Sequence, residues 1–264
     1  MKTNIETLKL ESHSEHILLV TLNRPEFANA FNTQMAWDLI SVFEDLAANP
    51  AQIRVVVLTG AGDKAFCAGG DLKERNGMSN EQWQAQHLVY ERMARALINC
   101  PLPVIGAING AAYGGGCELA AALDFIFVAD TARFAQTEVK LGIIPGAGGT
   151  QTLTRAVGER RAKELILSGR VFSANEAVEW GLANASFPLA TLMQYTLETA
   201  TTIANNAPIA VRQAKRAIHQ GLQMSLADGM VFEIEAYNQT VPTEDRREGV
   251  LAFNEKRKPQ FYGK

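Results

Sequence analysis

The sequence predicts an α/β fold with a helical C-terminal part. Three observations carry that expectation: β-branched runs alternate with stretches of helical period, two capping boxes mark helix starts, and everything after Leu189 reads as helix. At 264 residues, with 47% hydrophobic and 20% charged side chains, the chain is long and apolar enough to bury a large core.

His16–Leu22 and Ile53–Thr59 are short, β-branched and bounded by turn residues, which predicts two strands. Between them Met35, Leu39, Val42, Phe43 and Leu46 recur at helical spacing, so residues 35–48 form a helix that stops near Asn49-Pro50. Ser79-Asn-Glu-Gln82 is a capping box opening a helix to about Asn99. Val104–Ile108 and Phe125–Val128 read as strands flanking a helix from Gly115 to Leu123. Ser173-Ala-Asn-Glu176 is a second capping box, opening a short helix to about Trp180. Four helices follow, over 193–205, 209–220, 225–240 and 243–256, and suggest an appendage beginning near residue 190.

Composition excludes several classes. Lys and Arg number 25 against 28 Asp and Glu, a net charge of −3, so no global positive field recommends nucleic acid or an anionic membrane. Leu102–Ala129 is apolar enough to span a bilayer, yet Asn109, Glu118, Asp124 and three consecutive glycines favour a buried α/β segment. Cys67, Cys100 and Cys117 lack zinc-ligand spacing and read as buried free thiols of a reducing compartment. Residues 1–6 show neither a signal core nor an Arg-rich transit pattern, and the expected location is the cytoplasm.

The 21 glycines are an average complement unevenly spread: none precedes Gly60, and 14 fall between Gly60 and Gly149. Gly60-Ala-Gly-Asp-Lys-Ala65 matches G-x-G-x-x-A formally, but Phe66-Cys-Ala-Gly-Gly70 follows where a dinucleotide site needs a helix. Gly69-Gly70 opens a loop ending in Asp71-Leu72-Lys73-Glu74, which taken alone is a solvated charge cluster. Gly114-Gly-Gly116 stands between a strand and a helix, where free N–H groups and the helix dipole converge on one point able to hold a developing oxyanion. Glu118 falls in the first turns of that helix among Cys117, Leu119, Ala120 and Ala121, which predicts a buried carboxylate. Glu138 precedes another glycine-rich loop, Gly142–Gly149, that leads into a helix. Two acids in apolar, glycine-rich surroundings suggest paired carboxylates for proton transfer. His13, His16, His87 and His219 lie outside these clusters, and no metal-ligand or Ser-His spacing appears.

These motifs together resemble the enoyl-CoA hydratase/isomerase (crotonase) family over nearly the whole chain. The most specific stretches are Ala65–Glu74, Gly114–Glu118, and Glu138 with Gly142–Gln151. The resemblance implies a ClpP/crotonase-like spiral of ββα units in residues 1–190, which hold the active site. It also implies a helical trimerisation region over 191–264, giving homotrimers or homohexamers. N–H groups of Gly70 and Gly115 would form the oxyanion hole for an acyl-CoA thioester. Ala68, Asp71, Leu72 and Lys73 lie where the family binds CoA substrate, and Gly146 where an N–H helps hold the catalytic water. Both glutamates are kept, which favours a hydratase: Glu118 activates water, Glu138 protonates C2, and no metal or redox cofactor is needed. The alternatives are Δ3,Δ2-enoyl-CoA isomerisation, hydration of 3-methylglutaconyl-CoA, and non-catalytic acyl-CoA binding. Asp71–Arg75, Ala162–Ile166 and Gln239–Arg246 resemble the 3-methylglutaconyl-CoA hydratase-like branch, and Arg75–Gln86 falls in a segment that lines the acyl pocket.

One member of that branch binds RNA through a lysine-bearing helix. The equivalent stretch here, 35–48, has Asp38, Glu44 and Asp45 and no Lys or Arg. Phosphate contacts need cations, so a gel-shift titration should show no tight, salt-sensitive RNA binding.

Overall fold

The computed structural model describes residues 5–264. β1 (Leu8–Ser14) and β2 (Ile17–Leu22) form an antiparallel pair, and helix α1 (Thr33–Ala48) carries the chain over to β3 (Val55–Gly60), parallel to β2. From there strands come in twos. β4 (Ala65–Cys67) follows β3, β6 (Ala111–Tyr113) follows β5 (Val104–Ile108), and β8 (Arg133–Ala135) follows β7 (Phe125–Ala129). The first of each two joins a six-stranded sheet and the second a four-stranded one. β9 (Phe172–Ser173) completes the small sheet and β10 (Ala185–Phe187) the large one, giving orders β4-β6-β8-β9 and β1-β2-β3-β5-β7-β10. Helices close each turn of this spiral. α2 (Leu72–Arg75) and α3 (Asn80–Ile98) follow β4, and α4 (Gly115–Ala122) follows β6. After β8 come a 3-10 turn (Glu138–Leu141), α5 (Gly149–Val157) and α6 (Glu159–Ser168). α7 (Ala174–Glu179) lies between β9 and β10, and α8 (Leu189–Ala204), α9 (Pro208–Gly221), α10 (Leu226–Asn238) and α11 (Glu244–Glu255) end the chain.

The local reasons are visible in the sequence. β3 and β5 are buried at every position, which is why they read as unbroken apolar runs rather than alternating ones. Both expected capping boxes are formed: Ser79 with Gln82 starts α3, and Ser173 with Glu176 starts α7. Asn32 caps α1 by accepting from Met35 N–H. Asp38 of α1 is buried rather than solvated, its Oδ2 accepting from Thr7 N–H at 2.8 Å and Thr7 Oγ1 at 2.7 Å, which ties the first strand to the helix.

Several elements escape a reading by periodicity. β4, β6, β8, β9 and β10 have two or three residues each, too few to show a period of two. No helix opens at Gly60–Ala65. The chain turns straight into β4, so the dinucleotide pattern is a coincidence of spacing. The apolar run 102–129 is divided among β5, β6, α4 and β7, and no helix among the described residues is long and apolar enough to cross a membrane. α8, just at the expected boundary near residue 190, packs on β3, β5 and β7 and adds Leu192 and Ala200 to the main core.

The side of α1 facing the core contains Met35, Leu39 and Phe43, each without solvent exposure. Leu39→Ala should lower unfolding free energy by about 2–5 kcal/mol, read as a shifted urea midpoint with an unchanged denaturant slope.

Candidate active site

A cavity of about 1020 Å³ opens where the loop after β4, helix α3, the start of α4 and the segment 137–147 meet. Ala68, Gly70, Leu72, Gly115, Glu118, Glu138 and Gly146 all line it. The topology explains the convergence. β4 and β6 are parallel neighbours in the small sheet, so the loops leaving their C-terminal ends, 68–71 and 114–115, emerge side by side. β8 lies beside β6 and delivers Glu138 to the same edge.

The loop after β4 is held by Phe31, which donates its N–H to Gly69 O at 2.9 Å and accepts from Asp71 N–H at 2.9 Å. Asp71 does not line the cavity. Its carboxylate caps α2 by accepting from Lys73 N–H at 3.0 Å and pairs with Arg24 at 3.0 Å. Burial alone would raise its pKa, but the Arg24 guanidinium and the α2 N–H groups outweigh it and hold the carboxyl below its ordinary range. Lys73 is exposed, away from the cavity wall, with its Nζ 5.6 Å from the Phe27 ring centroid.

Gly70 and Gly115 present backbone N–H groups that donate to no protein acceptor among the described residues. Each follows a glycine at positive φ, Gly69 at +98° and Gly114 at +51°, a region that L side chains rarely adopt. Gly115 is also the first residue of α4, whose leading N–H groups have no partner within the helix. A Cβ on Gly115 would stand 2.4 Å from Phe31 Cζ, so only glycine lets the loop, the ring and the helix start approach this closely.

The two glutamates differ in their surroundings. Glu118 Oε1 accepts from Ala147 N–H at 2.8 Å and Gly149 N–H at 2.7 Å. Burial raises its pKa, and these N–H groups pull it back by favouring the charged form. Glu138 is pushed up to about 7, mainly by burial and further by the charge of Glu118. Gln136 is fully buried beside it, and with its amide nitrogen turned towards Glu138 that nitrogen stands 3.1 Å from Oε2. The site thus contains one raised carboxyl whose charged form backbone N–H groups favour, and one pushed up to about 7.

The rest of the wall comes from α3. Trp83, His87 and Tyr90 line the cavity from one side of that helix, together with Arg75 from α2. In the sequence His87 lies outside the glycine and acid clusters. In the structure it packs on Gly146, where a Cβ would come within 2.2 Å of its Cε1. The signal was present as positions i, i+4 and i+7 on one helical face.

The family model for enoyl-CoA hydratase/isomerase matches residues 12–264. The chain belongs to the enoyl-CoA hydratase/isomerase family. Over 250 residues it is 48% identical to the Bacillus subtilis (strain 168) protein YngF, covering 95% of this chain and 96% of that one. A short-chain-enoyl-CoA hydratase of Clostridium acetobutylicum is 40% identical over 242 residues, 92% of each chain. The crystal structure of an enoyl-CoA hydratase from Bacillus anthracis superposes with a TM-score of 0.96 at 44% identity, covering 98% of this chain and 100% of that one. The paired sheets and C-terminal helices are therefore the crotonase fold, and the protein is an enzyme of this family.

Proton affinities give a test. Glu118→Gln removes an anion facing Glu138, which makes the ionised form of Glu138 easier to reach, so its midpoint should move down from about 7. Carboxyl-selective ¹³C NMR or infrared titration reads that shift. By linkage, a folded pKa above the ordinary 4.5 contributes stability that is full below 4.5 and lost as pH rises through about 7.

Proposed function

We propose that the protein is an enoyl-CoA hydratase, adding water across the C2=C3 bond of a 2-enoyl-CoA thioester. The observation that carries this reading is the pair of unequal glutamates beside two free backbone donors. The thioester oxygen accepts from Gly70 and Gly115 N–H, which stabilises the enolate that forms as water attacks C3. Glu118, whose charged form Ala147 and Gly149 N–H favour, takes the proton from that water. Gly146 N–H, next to this carboxylate, helps hold the water. Glu138, half protonated at about pH 7, delivers its proton to C2. Atoms balance, since one water enters the product and the proton Glu118 accepts returns Glu138 to its acid form through solvent. The chemistry needs no metal or redox cofactor, and CoA enters as part of the substrate.

The CoA arm leaves along the exposed rim of the cavity, where Ala68 and Leu72 lie and Lys73 stands nearby. Residues 191–264 are proposed as the oligomerisation region. Ile218, Leu222, Leu226 and Phe253 expose apolar side chains there, which supports assembly into trimers or hexamers. A cytoplasmic location agrees with three buried free thiols.

Glu118→Gln and Glu138→Gln should each lower kcat for crotonyl-CoA hydration by on the order of 10²–10⁴ while acyl-CoA binding changes little. Wild-type turnover in both variants overturns the assignment. In the wild type, conversion of 3-enoyl-CoA faster than hydration of crotonyl-CoA would show an isomerase instead.

A further inference from the structure

Cys67 is a thiol that the proposed reaction does not use. It ends β4 with no solvent exposure, and burial pushes its pKa up to about 12, so it stays a neutral S–H rather than a nucleophile. Its Sγ nevertheless accepts one hydrogen bond, from Gly69 N–H at 3.4 Å. The side chain also lies against the start of α4, where a Cβ on Gly116 would stand 2.9 Å from Cys67 Cβ. One side chain therefore touches both segments that present the free donors, the loop after β4 and the first turn of α4.

The four N–H groups of the loop 68–71 have different fates. Ala68 N–H donates to Ala28 O at 3.0 Å, Gly69 N–H to the Cys67 sulfur, and Asp71 N–H to Phe31 O at 2.9 Å. Gly70 N–H alone has no protein acceptor among the described residues. Its direction follows from its neighbours. A trans peptide points its C=O and its N–H to opposite sides. Gly69 O accepts from Phe31 N–H at 2.9 Å, so Gly70 N–H faces away from the Phe31 backbone. The peptide before it, between Ala68 and Gly69, is held through Gly69 N–H and the thiol. Gly69 stands at φ +98°, and a Cβ there would lie 3.1 Å from the Gly115 nitrogen. A rotation of that peptide therefore displaces one free donor relative to the other.

Resting on the hydratase reading, we infer that Cys67 is a positioning residue of the oxyanion loop: its sulfur takes up the Gly69 N–H, so that Gly70 N–H alone meets the thioester oxygen in register with Gly115 N–H. A methyl in place of the thiol leaves Gly69 N–H unmade inside the fold. Such a donor turns its peptide towards another acceptor, and the developing enolate oxygen lies beside it. Sulfur suits the place because it is apolar enough for a fully buried position and still accepts weakly.

The test uses bound 2,4-hexadienoyl-CoA, whose ultraviolet band moves to longer wavelength as donors on the carbonyl oxygen draw charge along the conjugated chain. The wild type should shift that band on binding. Cys67→Ala and Cys67→Val both lack the acceptor but differ in volume, and both should shrink the shift. Each should also lower kcat for crotonyl-CoA by about tenfold to hundredfold while KM changes little. Cys67→Ser keeps an acceptor and should restore most of both readouts. Cys100→Ala removes a buried thiol outside the site and should change neither. A full band shift in Cys67→Ala and Cys67→Val, whatever their stability, would show a merely structural role and overturn the proposal. Equal losses in Cys67→Ser and Cys67→Ala would overturn it too. Failure of the hydratase reading looks different. A band shift that depends on Cys67 in a protein that does not hydrate crotonyl-CoA would sink the reaction and keep the positioning role.

Discussion

The proposed oxyanion hole needs two backbone N–H groups to face one point in a cavity whose walls are mostly apolar, and much of the surrounding structure answers to that constraint. Gly70 ends the loop after one strand of the small sheet and Gly115 starts the helix after the next strand. Because β4 and β6 are parallel neighbours, the two loops leave the same sheet edge. A glycine at positive φ precedes each donor. Phe31 then fills the space between them, hydrogen bonded to the loop through its backbone and packed edge-on to Tyr90 through its ring. Any side chain on Gly115 would displace that ring, and with it the wall of the pocket.

Electrostatics completes what the backbone begins. Burial raises both glutamates. The N–H groups of Ala147 and Gly149 break the symmetry by favouring charge on Glu118. That charge in turn helps keep the proton on Glu138. The proposed base and acid thus line the same cavity as the two glycine donors, with the low dielectric of the pocket strengthening each contact.

Much of this was legible in the sequence, for reasons that differ by element. The fully buried strands β3 and β5 are continuous apolar runs, and the starts of α3 and α7 are written in capping chemistry at Ser79 and Ser173. The glycine clusters were legible because backbone donors and tight turns both demand that residue. The small sheet was not, since strands such as Phe172–Ser173 are defined by their neighbours rather than by a pattern. Asp71 reads alone as a solvated charge at the end of a glycine loop, whereas its side chain is buried and holds the loop through α2 and Arg24. His87 was hidden for the opposite reason. It sits in a stretch that reads as an ordinary charged helix until the chain folds and brings it onto the cavity wall.

The central claim is that Gly70 and Gly115 N–H polarise the thioester carbonyl. Isotope-edited infrared difference spectroscopy of a bound 2-enoyl-CoA labelled with ¹³C at C1 reads that bond directly. The carbonyl stretch should move to lower frequency on binding to Glu118→Gln, in which turnover is slowed but both donors remain. A stretch unchanged from the same thioester in water would contradict the account.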